Sequence, residues 1–361
     1  MIRVVGSIRH GVRRLRHHLG RARFVLGPPE PFAPFMVVCF RPVVVHAKDW
    51  AFRHPRAPIH GLLSGLAGRP VHLLLSPSWT YDRDDLAKRA RRMVRRIERR
   101  HRHVEVVFLA PNRAEVERLV AAGVRVEHVN QNAFSHEGTY RPLAHVEKRH
   151  DAIYDARLTS FKRHELAAEI ASLALIPSFY EGRIDPAYEA KVRTRLAHAH
   201  LYVDPFRGEP RLAPSAVNRA LNECRVGLAL SAVEGSMFAS IQYLLAGLPV
   251  VSTPSSGGRD EFFHPDYVRI VPPTPEAVAE GVDELVSCAV GPEEIRSRTL
   301  ELVWTHRRRF VDLVDGFAAA AGLDAPRSGA WPDAFTNYLL DGLEPRNAEI
   351  IAAVDRASAS P

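Results

Sequence analysis

Only 3 cysteines occur in 361 residues, Cys39, Cys224 and Cys288, far apart and odd in number. That excludes a disulfide framework and fits a reducing compartment. No Cys-x-x-Cys or His-Glu-x-x-His spacing is present, so no metal site is expected. The 18 histidines are scattered, many beside arginines, as surface residues are. No apolar run approaches the ~20 residues that span a bilayer. The N-terminus lacks the uninterrupted apolar core of a secretion signal, so a cytoplasmic protein is expected. Negative charge is scarce at first: residues 1–103 carry 6 Asp and Glu against 22 Lys and Arg, whereas residues 104–361 carry 35 against 27. Such asymmetry points to an anionic partner for the first part: nucleic acid, a membrane surface or an acidic substrate.

What is present is an ordinary globular composition, 46% hydrophobic and 25% charged, at a length that suits two domains. Ile2, Val5, Ile8, Val12, Leu15 and Leu19 recur at helical spacing among arginines, a basic amphipathic helix within residues 1–34. Strands are expected at Phe35–Phe40, Val43–His46, Val71–Ser76, Val104–Ala110 and Val124–Val129, with helices at Asp85–Arg102 and Arg113–Ala122. A second series places strands at Ala152–Leu158, Ser172–Pro177, Leu201–Pro205, Val226–Ser231, Pro249–Thr253 and Tyr267–Val271. Helices fit between them at Lys162–Ile170, Pro186–His198, Ser215–Cys224, Met237–Ala246 and Pro275–Val286. Strands alternating with helices imply parallel sheets. The expected fold is α/β: two Rossmann-like domains, 35–145 and 146–325, facing across a cleft. Helices follow at Glu293–Ala321, Pro332–Leu340 and Pro345–Ala357, and residues 326–361 form a helical tail crossing back to the first domain.

Open parallel sheets bind ligands at the carboxyl ends of their strands. In the second series a strand runs into Arg157, and Lys162 follows five residues on at an expected helix start. Two cations there suit a diphosphate, although such a pair is also ordinary surface chemistry. Ser231–Gln242 reads strand, Glu234-Gly235 turn, helix. Glu234 suits sugar hydroxyls, and free amides at Gly235, Ser236 and Met237 suit phosphate; helix capping is the structural alternative. Gly247-Leu248-Pro249-Val250-Val251 ends a helix and opens a buried strand. Gly257-Gly258-Arg259-Asp260-Glu261 allows close backbone approach to a ligand, or is simply a turn. Asp82-Arg83-Asp84 precedes a helix, where acids are favoured without any metal.

In this order these features resemble the donor-binding domain of the family-4 retaining glycosyltransferases of the GT-B fold. The resemblance covers about residues 104–290, with Val129–Pro142 similar to the family's inter-domain linker. It implies sugar transfer from a nucleoside diphosphate sugar, without a cofactor or metal, to an acceptor glycan, lipid-linked or small molecule. Arg157, Lys162 and Glu234 would be catalytic. Gly235, Ser236, Met237, Gln242, Gly257 and Gly258 would hold the donor. Gln242 stands where the family has a Glu that holds the ribose, and an amide holds hydroxyls more weakly than an ionised group. No Gly-rich loop follows the first strand, so the acceptor side is read from residues alone: His46, Lys48 and Asp49, just after an early strand.

A nucleotide-sugar epimerase of the same fold is the rival reading, and an inactive relative is a third. A nucleic-acid binder draws support from Lys88–His103, with nine Lys and Arg. That run also carries an apolar face and lacks aromatic platforms, so nucleic acid is not expected. The basic excess is better assigned to an anionic membrane, met peripherally, or to an acidic acceptor.

Overall fold

The computed structural model describes residues 35–179, 185–325 and 347–359. The basic amphipathic helix expected within 1–34 and the helix expected at Pro332–Leu340 lie outside the described residues.

The first sheet has five strands in the order β1-β2-β3-β4-β5: β1 (Phe35–Phe40), β2 (Val43–Lys48), β3 (Val71–Ser76), β4 (Val104–Ala110) and β5 (Val126–His128). β1 and β2 run antiparallel, and the remaining pairs are parallel. Two residues join β1 to β2, which permits only a hairpin, since a parallel partner needs a crossover of a dozen residues or more. Helices α1 (Pro58–Gly65), α2 (Asp84–Arg100) and α3 (Arg113–Ala121) make the crossovers. Leu73, Leu74 and Leu75 are all fully buried, as expected of a parallel strand covered on both faces.

The second sheet has six strands in the order β11-β10-β9-β6-β7-β8. They are β6 (His150–Arg157), β7 (Leu173–Ser178), β8 (His200–Leu201), β9 (Cys224–Ala229), β10 (Val250–Ser252) and β11 (Val268–Ile270). All pairs are parallel, so every carboxyl end faces one edge. Helices α4 (Pro186–Arg195), α5 (Pro214–Asn222), α6 (Phe238–Leu245) and α7 (Pro275–Val286) complete the domain. Gly247 ends α6 at φ +79°, and a Cβ there would lie 2.6 Å from Pro292, so glycine is required twice over.

One expected helix is absent. Lys162–Ile170 forms two 3-10 turns, Ser160–Lys162 and His164–Ala167, broken by Arg163 at φ +51°. A side chain in the left-handed region costs energy, and its guanidinium offsets that by donating to Leu230 O (2.6 Å) and Thr253 Oγ1 (2.7 Å).

The chain crosses back through α8 (Pro292–Ala320), earlier than expected. Its first half packs on the second domain. Its second half inserts Phe310, Val314 and Phe317 against Val44, Leu74 and Val107 of the first sheet. The last helix, α9 (Asn347–Ala359), packs on α1, with Ile350 and Val354 in the first core. Glycines allow that approach: a Cβ on Gly65 would lie 2.2 Å from Ile351.

Candidate functional site

The carboxyl edge of the second sheet carries a buried ion pair. Lys162 Nζ lies 2.5 Å from Glu234 Oε2, and the two side chains are 8% and 12% exposed. Desolvation of two charges is expensive, so such a pair persists only when each charge compensates the other. Burial pushes the Lys162 ammonium down in pKa, while Glu234 and Asp155 oppose that and Arg157 adds to it. Tyr154 Oη fixes the backbone by donating to Lys162 O (2.6 Å). Burial raises Asp155 to about 6, with Lys162 and Arg211 opposing. Arg157 stands exposed at the end of β6. Lys162 sits in a 3-10 turn, so no α-helix dipole assists it.

The Glu-Gly turn is fastened to the Gly-Gly loop. Glu234 N donates to Ser256 O (3.0 Å). Gly257 has φ +103°, and a Cβ there would sit 1.7 Å from Glu234 O. No side chain is tolerated at that approach. Arg259, fully buried, donates to Ala229 O, Ser231 O, Ser252 Oγ and Thr253 O and pairs with Asp260 at 2.6 Å. With Arg163 it holds the carbonyls where β9 and β10 end, and so fixes the floor of the site.

Several polar atoms around the ion pair are uncommitted. Ser236 Oγ, Thr159 Oγ1 and Gln131 Oε1 are buried and have no hydrogen-bond partner among the described residues. Gln242, on α6, is 8% exposed. Buried polar groups are nearly always paired, so a group of orphans in one place marks where a polar ligand or water belongs. Of the residues expected to hold a donor, Gly235, Ser236, Met237, Gly257 and Gly258 lie on the two loops fastened together at Glu234, and Gln242 lies on α6.

The first domain closes over this edge. Backbone atoms of Trp79 lie 3.5 Å from a Cβ position on Gly235, and Thr80 lies 3.4 Å from one on Gly257. Asn130 Nδ2 donates to Gly258 O (2.8 Å), and Asn132 Nδ2 to Met237 O (3.1 Å). Glu115, buried, accepts from Thr80 Oγ1 and Tyr81 N at 2.9 Å each and so shapes the loop carrying Trp79. Burial raises Glu115 to about 7 against those bonds.

The acceptor-side candidates do not act as a group. His46 is buried in β2, shares a 2.7 Å bond with Ser76 Oγ and stacks on Phe134. Burial, with Lys48 adding to it, holds its pKa well below the usual histidine value. Asp49 accepts from Ser78 N (3.0 Å) and Tyr81 Oη (2.7 Å), a loop anchor. Lys48, half-buried at the end of β2, makes no hydrogen bond or ion pair among the described residues.

Two histidines unremarked in the sequence meet Glu261 of the Gly-Gly motif at the junction. His128, Glu261 and His306 bring ligand atoms within 4.8 Å of one another. Arg309 Nη1, which only donates, lies 3.0 Å from His128 Nδ1, and Asn130 N donates to His306 Nδ1 at 3.3 Å. Nε2 of His128 and Nε2 of His306 lie 2.8 and 3.4 Å from Glu261 Oε1. Burial alone would raise the Glu261 carboxyl; the bonds from His128 and His306 bring it to about 2. The cluster ties the Gly-Gly loop to β5 and α8. Its three members are spread over 178 residues, and no local signal links them.

No protein-family model matches the chain, and no curated protein matches it by sequence. The backbone is similar to solved structures. Anabaena Alr3699/HepE in complex with UDP-glucose superposes with a TM-score of 0.55 at 13% identity, over 76% of this chain and 78% of that one. A sucrose-phosphate synthase from Thermosynechococcus elongatus gives 0.53 at 14% identity, over 70% and 75%. At such identities the likeness shows the fold: two parallel-sheet α/β domains in the GT-B arrangement, with a helical C-terminal segment.

Proposed function

We propose that the chain is a retaining glycosyltransferase, moving a sugar from a nucleoside diphosphate sugar to an acceptor hydroxyl in glycan, glycolipid or glycosylated natural-product biosynthesis. The observation that carries this is the buried Lys162–Glu234 pair amid uncommitted polar atoms at the carboxyl edge of the second sheet. A diphosphate offers Lys162 and Arg157 a better partner than Glu234, because it carries more charge and more acceptor oxygens. Its arrival frees Glu234 for the hydroxyls of the sugar. Charge on the departing diphosphate grows in the transition state, so these cations favour that state over the bound donor. Gln242 holds the ribose. HepE holds UDP-glucose in its solved complex, so a UDP-sugar is the first donor to try.

The fold supports an epimerase equally well. Incubation with labelled nucleotide sugars and no acceptor separates the two: slow release of free sugar fits the transferase, and a new nucleotide-sugar isomer contradicts it.

About half of the basic excess of residues 35–103 lies on α2, and Arg102 follows it. Lys88, Arg92, Arg95, Arg99 and Arg102 form an exposed stripe, and none makes an ion pair among the described residues. We assign this face to an anionic membrane surface or acidic glycan, with the enzyme cytoplasmic and peripheral.

A further inference from the structure

Three of the four strand ends that face the second domain are already in contact with it. The loop after β3 lies on Gly235 and Gly257 through Trp79 and Thr80, Pro111 after β4 lies on Gly258, and Asn130 after β5 donates to Gly258 O. The end of β2 is the next along the sheet, with Lys48 in register beside Ser76. No hydrogen bond or ion pair of Lys48 occurs among the described residues. Three residues beyond Ser76, Trp79 is 38% exposed. Its ring meets Phe161 edge-on, centroids 5.2 Å apart at 87°. Phe161 lies between Arg157 and Lys162, with Lys162 Nζ 5.5 Å from its ring centre. The indole therefore stands at the mouth of the cleft, one aromatic ring away from the donor-side cations.

We propose that Trp79 and Lys48 form the acceptor subsite, and that it takes a pyranose bearing an anionic group, a carboxylate or a phosphate. This rests on the donor reading above. One face of a pyranose is a sheet of C–H bonds, and an exposed indole is a rigid apolar surface that such a face can cover. The anionic group is called for by Lys48. Its nearest carboxylate, Asp49, has both oxygens engaged by Ser78 N and Tyr81 Oη. A half-buried ammonium with no hydrogen-bond partner among the described residues is costly, and an acceptor's negative charge offsets that cost. Burial moves Lys48 down to about 8 against the pull of Asp49, so at pH 7 it remains mostly protonated. The excess of positive charge in residues 1–103 draws such acceptors toward the same side.

Tryptophan fluorescence of the full chain tests this, using methyl glucuronide, glucose 6-phosphate and methyl glucoside as probes. Both anionic sugars are expected to change the emission and to bind at least tenfold more tightly than the neutral one. Trp79→Phe removes the emission change. Lys48→Met removes the preference for anions, and Lys48→Arg restores it. Calorimetry with UDP reads the donor site separately. If UDP binds while the neutral sugar equals the anionic ones, or Lys48→Met keeps the preference, the acceptor subsite is wrong and the donor reading stands. If the anionic sugars bind as described and UDP does not, the donor reading falls instead.

Discussion

Lys162 and Glu234 each depend on the other while no ligand is bound. Removing one leaves the other charged, buried and unpaired, a loss of about 3–5 kcal/mol. Lys162→Met should therefore destabilise the fold more than the double change Lys162→Met with Glu234→Gln. Urea denaturation of both variants checks the order, and equal or additive losses would contradict a coupled pair. Gln242 allows the opposite kind of change. Gln242→Glu introduces an ionised acceptor for hydroxyls and should tighten nucleotide-sugar binding several-fold, since charge-assisted bonds are about twice as strong as neutral ones. A weaker complex would place Gln242 outside the ribose site. Arg157, Lys162, Glu234 and Gly257 were legible because their spacing along the chain is local. Arg163, Arg259 and the His128–Glu261–His306 cluster were not. Their partners are carbonyls and side chains that only the fold brings near.

Among the elements, the strands were the most legible, because four to seven consecutive apolar residues leave little alternative in a covered parallel sheet. The Lys162–Ile170 segment was misread as α-helix, since nothing local announces that Arg163 takes a left-handed conformation. Helix α1 was missed for a different reason. Gly61 and Gly65 weaken its helical signal, and they are there to admit α9. The same helix carries His60, whose Nδ1 lies 3.1 Å from His101 Nε2 at the end of α2. Burial, aided by the Arg100, His101 and His54 charges, lowers His60 to about 4. The unfolded chain, near 6.5, takes up protons first as pH falls. Stability is full above about pH 6.5 and declines toward pH 4, by about 3 kcal/mol from this residue. Urea midpoints across that window should fall in the wild type and fall less in His60→Gln. Parallel declines would remove His60 as the cause.

At the scale of the molecule, the two sheets were foreseeable from the alternation of strands and helices. The return of α8 to the first sheet, with Phe310 and Phe317 buried there, was not, because a long amphipathic pattern does not name the surface that it covers. Part of the charge asymmetry has a location on α2. Vesicle co-sedimentation should pellet the chain with anionic lipid and not with neutral lipid, and replacing Arg92, Arg95 and Arg99 by Gln should weaken pelleting severalfold; equal pelleting on neutral vesicles would contradict an electrostatic surface. The central claim concerns the other edge, where the second sheet presents Arg157, Lys162 and Glu234. Calorimetric titration with UDP, GDP, ADP and dTDP tests it most directly. The account predicts that one of them binds saturably at one site, and that Arg157→Ala, an exposed change, weakens it at least tenfold. Absence of binding for all four, or undiminished binding to Arg157→Ala, would contradict it.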